Sequence, residues 1–323
     1  MTPRENALIA YHHGIPEYVP SFHLDCNVVI PTATMEQRNF GPGTDLDGFG
    51  VQWTWVPGIN GNMVDPSVPP ILEDITQWRE VVKFPNVEEY PWEEQYSMDA
   101  QGNNDMTKLQ MAMVASGPFE RLHALMGMEE AMMALMTDPE ECYAFFGAVI
   151  DYKIAVFKKI KEYYNVDVFI EHDDYGANDR MLMSPTLWRS LLKPHLKRLV
   201  DATHELGALY EHHSCGFVEP IIGDLVEIGV DALNSLQACN TNVGQLKKQY
   251  GSQLTFVGGF DSVGVLDYPG VTEEAIRADY HRVLNLLAPG GSYICAAISA
   301  KTDYLPILFE EHNKYGMTFY KEA

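Results

Sequence analysis

No stretch of this sequence holds the ~18 consecutive apolar residues that a bilayer-spanning helix needs, so no membrane span is expected. Cationic side chains are scarce too: 22 Lys and Arg stand against 45 Asp and Glu, a formal net charge of −23. Such an excess repels phosphate backbones and anionic headgroups, which argues against nucleic acid and membrane surfaces as partners. Its plain meaning is solubility. There are only five cysteines, Cys26, Cys142, Cys215, Cys239 and Cys295, odd in number and irregular in spacing. A disulfide framework is not expected from them. A reducing cytoplasm fits better, and there clustered Cys and His point to metal binding or catalysis. The opening MTPRENALIAYHHG does not read as a secretory signal, because its apolar segment is short and runs into Tyr11, His12 and His13. No G-x-G-x-x-G opens a helix, and there is no short-period repeat.

What the chain does have is a 46% hydrophobic composition and a strand–helix rhythm in its second half. Strand-like runs are VDVFI (166–170), ALYEHH, DALNSLQ, LTFVGG and SYICA. Helical patterns alternate with them: one from Ser184-Pro185 to near Gly207, then 218–228, 243–250, 272–287 and 303–315. LQMAMVAS (109–116) reads as an earlier strand, and Asp138-Pro139 starts a helix running to about Tyr164. Repeated strand–helix units imply parallel strands joined by crossover helices. The expected fold is α/β: a (β/α)8 TIM barrel with an N-terminal extension and long loops, one domain over residues 1–323. A doubly wound open sheet is the alternative. The Gly-, Pro- and Trp-rich region from Phe40 to Tyr96 is expected to form long loops and part of a lid. The methionine-rich LMGMEEAMMALM reads as helical core packing.

In such a barrel the active site lies at the C-terminal strand ends. Five consecutive strands end there in chemically capable residues: Glu171-His172-Asp173-Asp174-Tyr175, His213-Ser214-Cys215, Gln237 with Cys239, Asp261, and Cys295. Strand alternation groups Glu211, His213 and Cys215 on one face and turns His212 away. The same alternation, with Val166, Val168 and Ile170 placed under helices, aims Phe169, Glu171 and Asp173 into the mouth. Zinc takes thiolate sulfur and imidazole nitrogen, and catalytic sites keep a position open. His213 and Cys215 supply two ligands. Cys295 is the expected third, with Cys239 or a carboxylate such as Glu171 competing. Taken alone, H-x-C is a weak signal, and a cysteine in an apolar strand is ordinarily a small buried hydrophobe. A Cys215 nucleophile with His213 as base is a further alternative. Asp173, Asp174 and Glu171 are the catalytic candidates, the blander reading being a solvated turn or helix cap. Trp53, Tyr175, Gln237 and Asp261 are candidates for substrate contact. For Trp53, its neighbour Trp55 and Tyr175 the alternative is core packing, and for Asp261 a loop cap.

These stretches, with DGFGVQWTW (47–55), SGPFERLHALMG (116–127), DDYG (173–176), MSPTLWRSLLKPHLKRLVDATHELG (183–207) and HHSCGFVEPIIGDLVEIGVDALNSLQ (212–237), resemble the uroporphyrinogen decarboxylase superfamily. Within it the corrinoid-dependent methyltransferases are the nearer branch. True decarboxylases resemble one another in an arginine-bearing N-terminal segment that holds a tetrapyrrole. TPRENALIAYHHG stands in its place, which argues against that activity. The resemblance implies zinc on His213, Cys215 and a distant cysteine, carried onto Cys295. The distant cysteine of the thiol-methylating members lies nearer a Thr-Pro than Cys295 does to Pro306, a departure that weakens both that ligand and a thiol acceptor. DDYG looks more like members that demethylate small donors, such as methoxylated aromatics, for a separate corrinoid protein. The reverse task, methyl transfer from methylcobalamin to a thiol, and a zinc-dependent lyase or decarboxylase of the same superfamily are the alternatives.

Overall fold

The computed structural model describes residues 1–31, 42–58, 61–99, 105–238, 241–299 and 301–321. The chain begins with helix α1 (Pro3–Tyr11), which the sequence sets up locally: Thr2 and Glu5 form a capping box and Pro3 sits in the first turn. A short helix α2 (Phe22–Asp25) leads into strand β1 (Cys26–Val29). An antiparallel sheet follows, β2 (Thr44–Leu46), β3 (Gln52–Val56) and β4 (Gly61–Val64), with the short helices α3 (Trp78–Val81) and α4 (Trp92–Asp99) after it. Regular alternation then sets in: β5 (Leu109–Val114), α5 (Pro118–Met126), α6 (Met128–Thr137), α7 (Pro139–Tyr164), β6 (Val168–His172), α8 (Pro185–Leu191), α9 (Lys193–Glu205) and β7 (Leu209–His213). It continues with α10 (Ile222–Glu227), β8 (Ala232–Leu236), α11 (Val243–Tyr250), β9 (Thr255–Gly258), α12 (Glu273–Leu287), β10 (Tyr293–Ile294) and α13 (Leu305–Glu311).

The helix expected from Ser184 is interrupted. Ser184 caps it as anticipated, accepting from Leu187 N at 3.2 Å, but it breaks at Leu192 because Pro194 has no N–H to donate. The region read as loops carries the three-stranded sheet β2-β3-β4, whose strands are three to five residues long, too short to show a pattern.

Seven parallel strands form the main sheet in the order β1-β5-β6-β7-β8-β9-β10. The sheet curls so that its two edges meet. Cys295 N donates to Pro20 O at 2.8 Å and Phe22 N donates to Cys295 O at 2.9 Å, a parallel bridge between the end of β10 and the approach to β1. The α/β class and the curled parallel sheet match expectation. An eighth laddered strand is not formed among the described residues.

Two apolar clusters divide the core. The inner one joins Leu109, Met111, Val168, Ile170, Ala232, Val257 and Ile294 from the strands to Ala7, Ala10 and Tyr11 of α1. Helix α1 thus fills one end of the curled sheet, with Thr255 Oγ1 donating to Ala10 O. The outer cluster packs helices on the sheet, as where Phe157 of α7 stacks on Phe169 at 4.2 Å. The phase expected for β6 is therefore reversed: Val168, Ile170 and His172 face inward, while Phe169, Glu171 and Asp173 face the helices. A strand buried on both faces carries no apolar–polar alternation to fix its phase. On β6 the aromatic Phe169 goes outward, where α7 receives it, and the β-branched Val168 and Ile170 fill the interior. On β7 the expected phase holds. His213 lies beside His172 in register, and His212 beside Glu171.

The methionine-rich stretch packs in the core only in part: Leu125 and Met126 are buried and Met132 packs against the core. Ala131, Ala134 and Leu135 are buried, whereas Met128, Met133 and Met136 are exposed.

Candidate metal and catalytic site

The loops after β6 and β7 are pressed together by two glycines. A Cβ on Gly176 would lie 2.5 Å from Cys215 O, and one on Gly216 would lie 2.5 Å from Gly176 C. Gly216 also has a φ of +77°, a left-handed conformation that suits glycine. This close approach carries Asp174 to the neighbouring loop, where its Oδ1 accepts from Cys215 N at 2.6 Å. Gln237 braces the same loop from β8, accepting from Gly216 N at 3.0 Å.

Here His172, Asp174 and His213 converge, each offering one ligand atom, all within 4.8 Å of one another. The two imidazoles stack at 4.3 Å between centroids and 14° between planes. Cys215 Sγ lies 3.5 Å from His213 Nε2 and 3.9 Å from Ser235 Oγ. The second ring nitrogens are also addressed. His172 Nδ1 lies 2.9 Å from Glu120 Oε1, and His213 Nδ1 lies 3.0 Å from Asn234 Oδ1. Metal-binding histidines typically spend their other nitrogen on a carboxylate or carbonyl, as His213 does on Asn234. Burial, helped by the charge of His172, holds the His213 imidazole well below its usual pKa. Burial pushes the Cys215 thiol up to about 12, with the nearby Asp174 charge adding to it. A thiol held protonated is a poor nucleophile, which weakens the cysteine–histidine alternative. A cation would reverse that bias.

The other candidates stand elsewhere. Glu171 is fully buried behind the sheet, 3.3 Å from Lys153 of α7, and does not reach the mouth. Asp173 caps α5 from a distance, accepting from Phe119 N at 3.2 Å and Glu120 N at 2.8 Å. Burial, with the Glu120 charge, raises its pKa to about 7. The capping alternative describes its contacts. Tyr175 also lies behind the sheet. It donates to Asp173 at 2.7 Å, stacks on His212 and meets Trp188 edge-on. Trp53 is buried in the small sheet with Nε1 donating to Asp47 at 3.0 Å. Asp261 caps the turn Ser262–Leu266 through Gly264 N at 2.7 Å. Cys295 points outward into a small cavity lined by Phe260, Tyr280 and His312, away from His213. Its neighbours on the strand, Ile294 and Ala296, take the inward positions. Cys239 lies outside the described residues.

In the sequence His172 stands out only as part of its strand-end stretch, with no role of its own, and Glu120 and Asn234 do not stand out at all. For His172 the usable signal was the parallel register, which pairs two inward histidines. For Glu120 and Asn234 no local pattern existed.

A model of the uroporphyrinogen decarboxylase (URO-D) family matches residues 58–297. Among solved structures, a methyltransferase from Methanosarcina mazei superposes with a TM-score of 0.74. It is 16% identical, over 97% of this chain and 99% of that one. An endo-β-1,4-xylanase from Gloeophyllum trabeum gives 0.43 at 10% identity, over 66% and 70%. No curated protein matches the sequence.

Proposed function

The chain belongs to the uroporphyrinogen decarboxylase family, and we propose that within it this protein is a zinc-dependent methyltransferase. In this reading it moves a methyl group from a small methyl donor, a methoxylated aromatic, to the cobalt(I) of a separate corrinoid protein. The observation that carries it is the convergence of His172, Asp174 and His213 beside Cys215 at the ends of β6 and β7. Two imidazoles, a carboxylate and a thiol are a donor set suited to zinc, and the outer nitrogens of both rings face acceptors.

His172, Asp174 and His213 would hold the metal, with Cys215 beside them as a further ligand. When bound, zinc supplies Lewis acidity that makes a departing alkoxide or phenoxide less basic. The remaining work belongs to the chain. Glu120 and Asn234 hold the two rings in place, and the paired glycines keep Asp174 and Cys215 in one loop layer. The methyl carbon–oxygen bond breaks with its electron pair on oxygen, and the released alkoxide or phenoxide takes a proton from water. The methyl group forms its new bond with the electron pair of cobalt(I). The Methanosarcina mazei methyltransferase shares the fold, and that likeness supports methyl transfer as the chemistry proposed here. The outward position of Cys295 favours the demethylating direction over thiol methylation, which by resemblance relies on a distant second cysteine.

The experiment mixes zinc-loaded protein with a corrinoid protein reduced to cobalt(I) and a panel of methoxyarenes, and follows the cobalt spectrum. Methylcobalt is expected with at least one donor, and His213→Ala should slow its formation by about 100-fold or more, in line with loss of a stabilising group. Failure of every donor with the zinc-loaded protein would overturn the reading.

A further inference from the structure

We propose that Tyr11, Glu211 and Asn234 form a positioning chain that holds His213 in the tautomer protonated on Nδ1, leaving Nε2 as the acceptor beside Cys215. The inference rests on the reading above in one respect, that Nε2 of His213 is the atom offered to a metal.

The chain runs up the interior of the curled sheet. Tyr11 is the last residue of α1, and its hydroxyl donates to Glu211 Oε2. Asn234 Nδ2 donates to Glu211 Oε1. All three residues are buried. Both oxygens of Glu211 are used as acceptors, Oε2 by the Tyr11 hydroxyl and Oε1 by the Asn234 amide, so the side of that amide facing Glu211 is its NH2. With Nδ2 committed to Glu211, Oδ1 is the atom left for His213 Nδ1, and it lies 3.0 Å away. Two acceptors cannot share a hydrogen bond, so Nδ1 carries the proton. The tautomer of His213 is thus set from Glu211, two residues back on the same inward face, through an amide on the neighbouring strand. Tyr11, 200 positions from Glu211, satisfies the carboxylate's other oxygen and ties α1 to the site.

A buried glutamate also needs partners simply to be buried. A merely structural role predicts lost stability in variants, with no change of tautomer. The test therefore reads the tautomer directly. Metal-free protein labelled with 15N-histidine is examined by two-bond proton–nitrogen correlation, with His213→Gln used to assign the signal. In the wild type, His213 is expected to give the Nδ1-protonated pattern. Asn234→Leu should give a mixed or Nε2-protonated pattern, and Glu211→Gln, which can turn its amide either way, a partial shift. Tyr11→Phe removes only the far bond and should move the pattern least. In zinc competition against a chelator, Asn234→Leu should bind about 10- to 100-fold more weakly, the usual effect of losing such a partner. An Nε2-protonated His213 in the wild type would overturn the proposal even if no variant folded. So would a folded Asn234→Leu protein with the wild-type tautomer and zinc affinity. A wild type with the Nδ1-protonated pattern that takes up no zinc would uphold the chain while the metal reading fails.

Discussion

Lys153 and Glu171 face each other at 3.3 Å with neither side chain reaching water, and Lys153 Nζ also donates to Ala115 O at 2.6 Å. Removing one partner breaks a fully buried ion pair and takes a counter-charge from the group that stays. Lys153→Met should therefore cost about 3–5 kcal/mol, far more than an exposed pair, where the cost is about 0–1. Adding Glu171→Leu should return much of the loss. Urea denaturation of the single and double variants measures both, and a cost near that of a surface pair would count against this account. The pair also explains why Glu171 misled as a catalytic candidate. Its charge and its place at a strand end were visible in the sequence, but the buried lysine that claims it lies 18 positions earlier on α7. His172 is the converse. It sits in the same stretch, and only the phase of β6 separates a buried ion pair from a candidate metal ligand.

Among the elements, α5 serves as an anchor through its first turns. Asp173 caps its first turn, and Arg121 within it forms a fully buried ion pair with Asp47. Asp47 also accepts from Phe49 N, Val51 N and Trp53 Nε1, so one carboxylate fastens the bend between β2 and β3 to α5. Asp47→Ala should destabilise the protein by about 3–5 kcal/mol, because a fully buried ion pair with Arg121 is broken and three further hydrogen bonds to Asp47 are lost. A thermal or urea melt checks this; a loss below about 1 kcal/mol, typical of exposed pairs, would contradict it. Elements were legible where local chemistry states a boundary. Helix α7 begins at Pro139 and ends at Tyr164 as read, and α11 and the Thr272 cap of α12 also fall where expected. The small sheet was not legible, because what holds it is a contact with Arg121 more than 70 residues away rather than any pattern in its own strands.

At the scale of the whole molecule, a curled parallel sheet plugged by α1 brings the ends of β6, β7 and β8 together, and the site follows from that closure. The alternation of units announced the sheet. The inward phase of each strand was not announced, because both faces are buried and hydrophobicity alone cannot tell them apart. The same ambiguity governs Cys295, whose outward turn removes it from the site that the H-x-C pair suggested. Zinc content therefore tests the account most directly. Purified protein and its His172→Ala, Asp174→Ala, His213→Ala and Cys295→Ala variants are each loaded with zinc, dialysed against a chelator and analysed for metal. The wild type and Cys295→Ala should keep their zinc, while the two histidine variants and Asp174→Ala lose most of theirs. Zinc retained without His172 and lost without Cys295 would contradict the account.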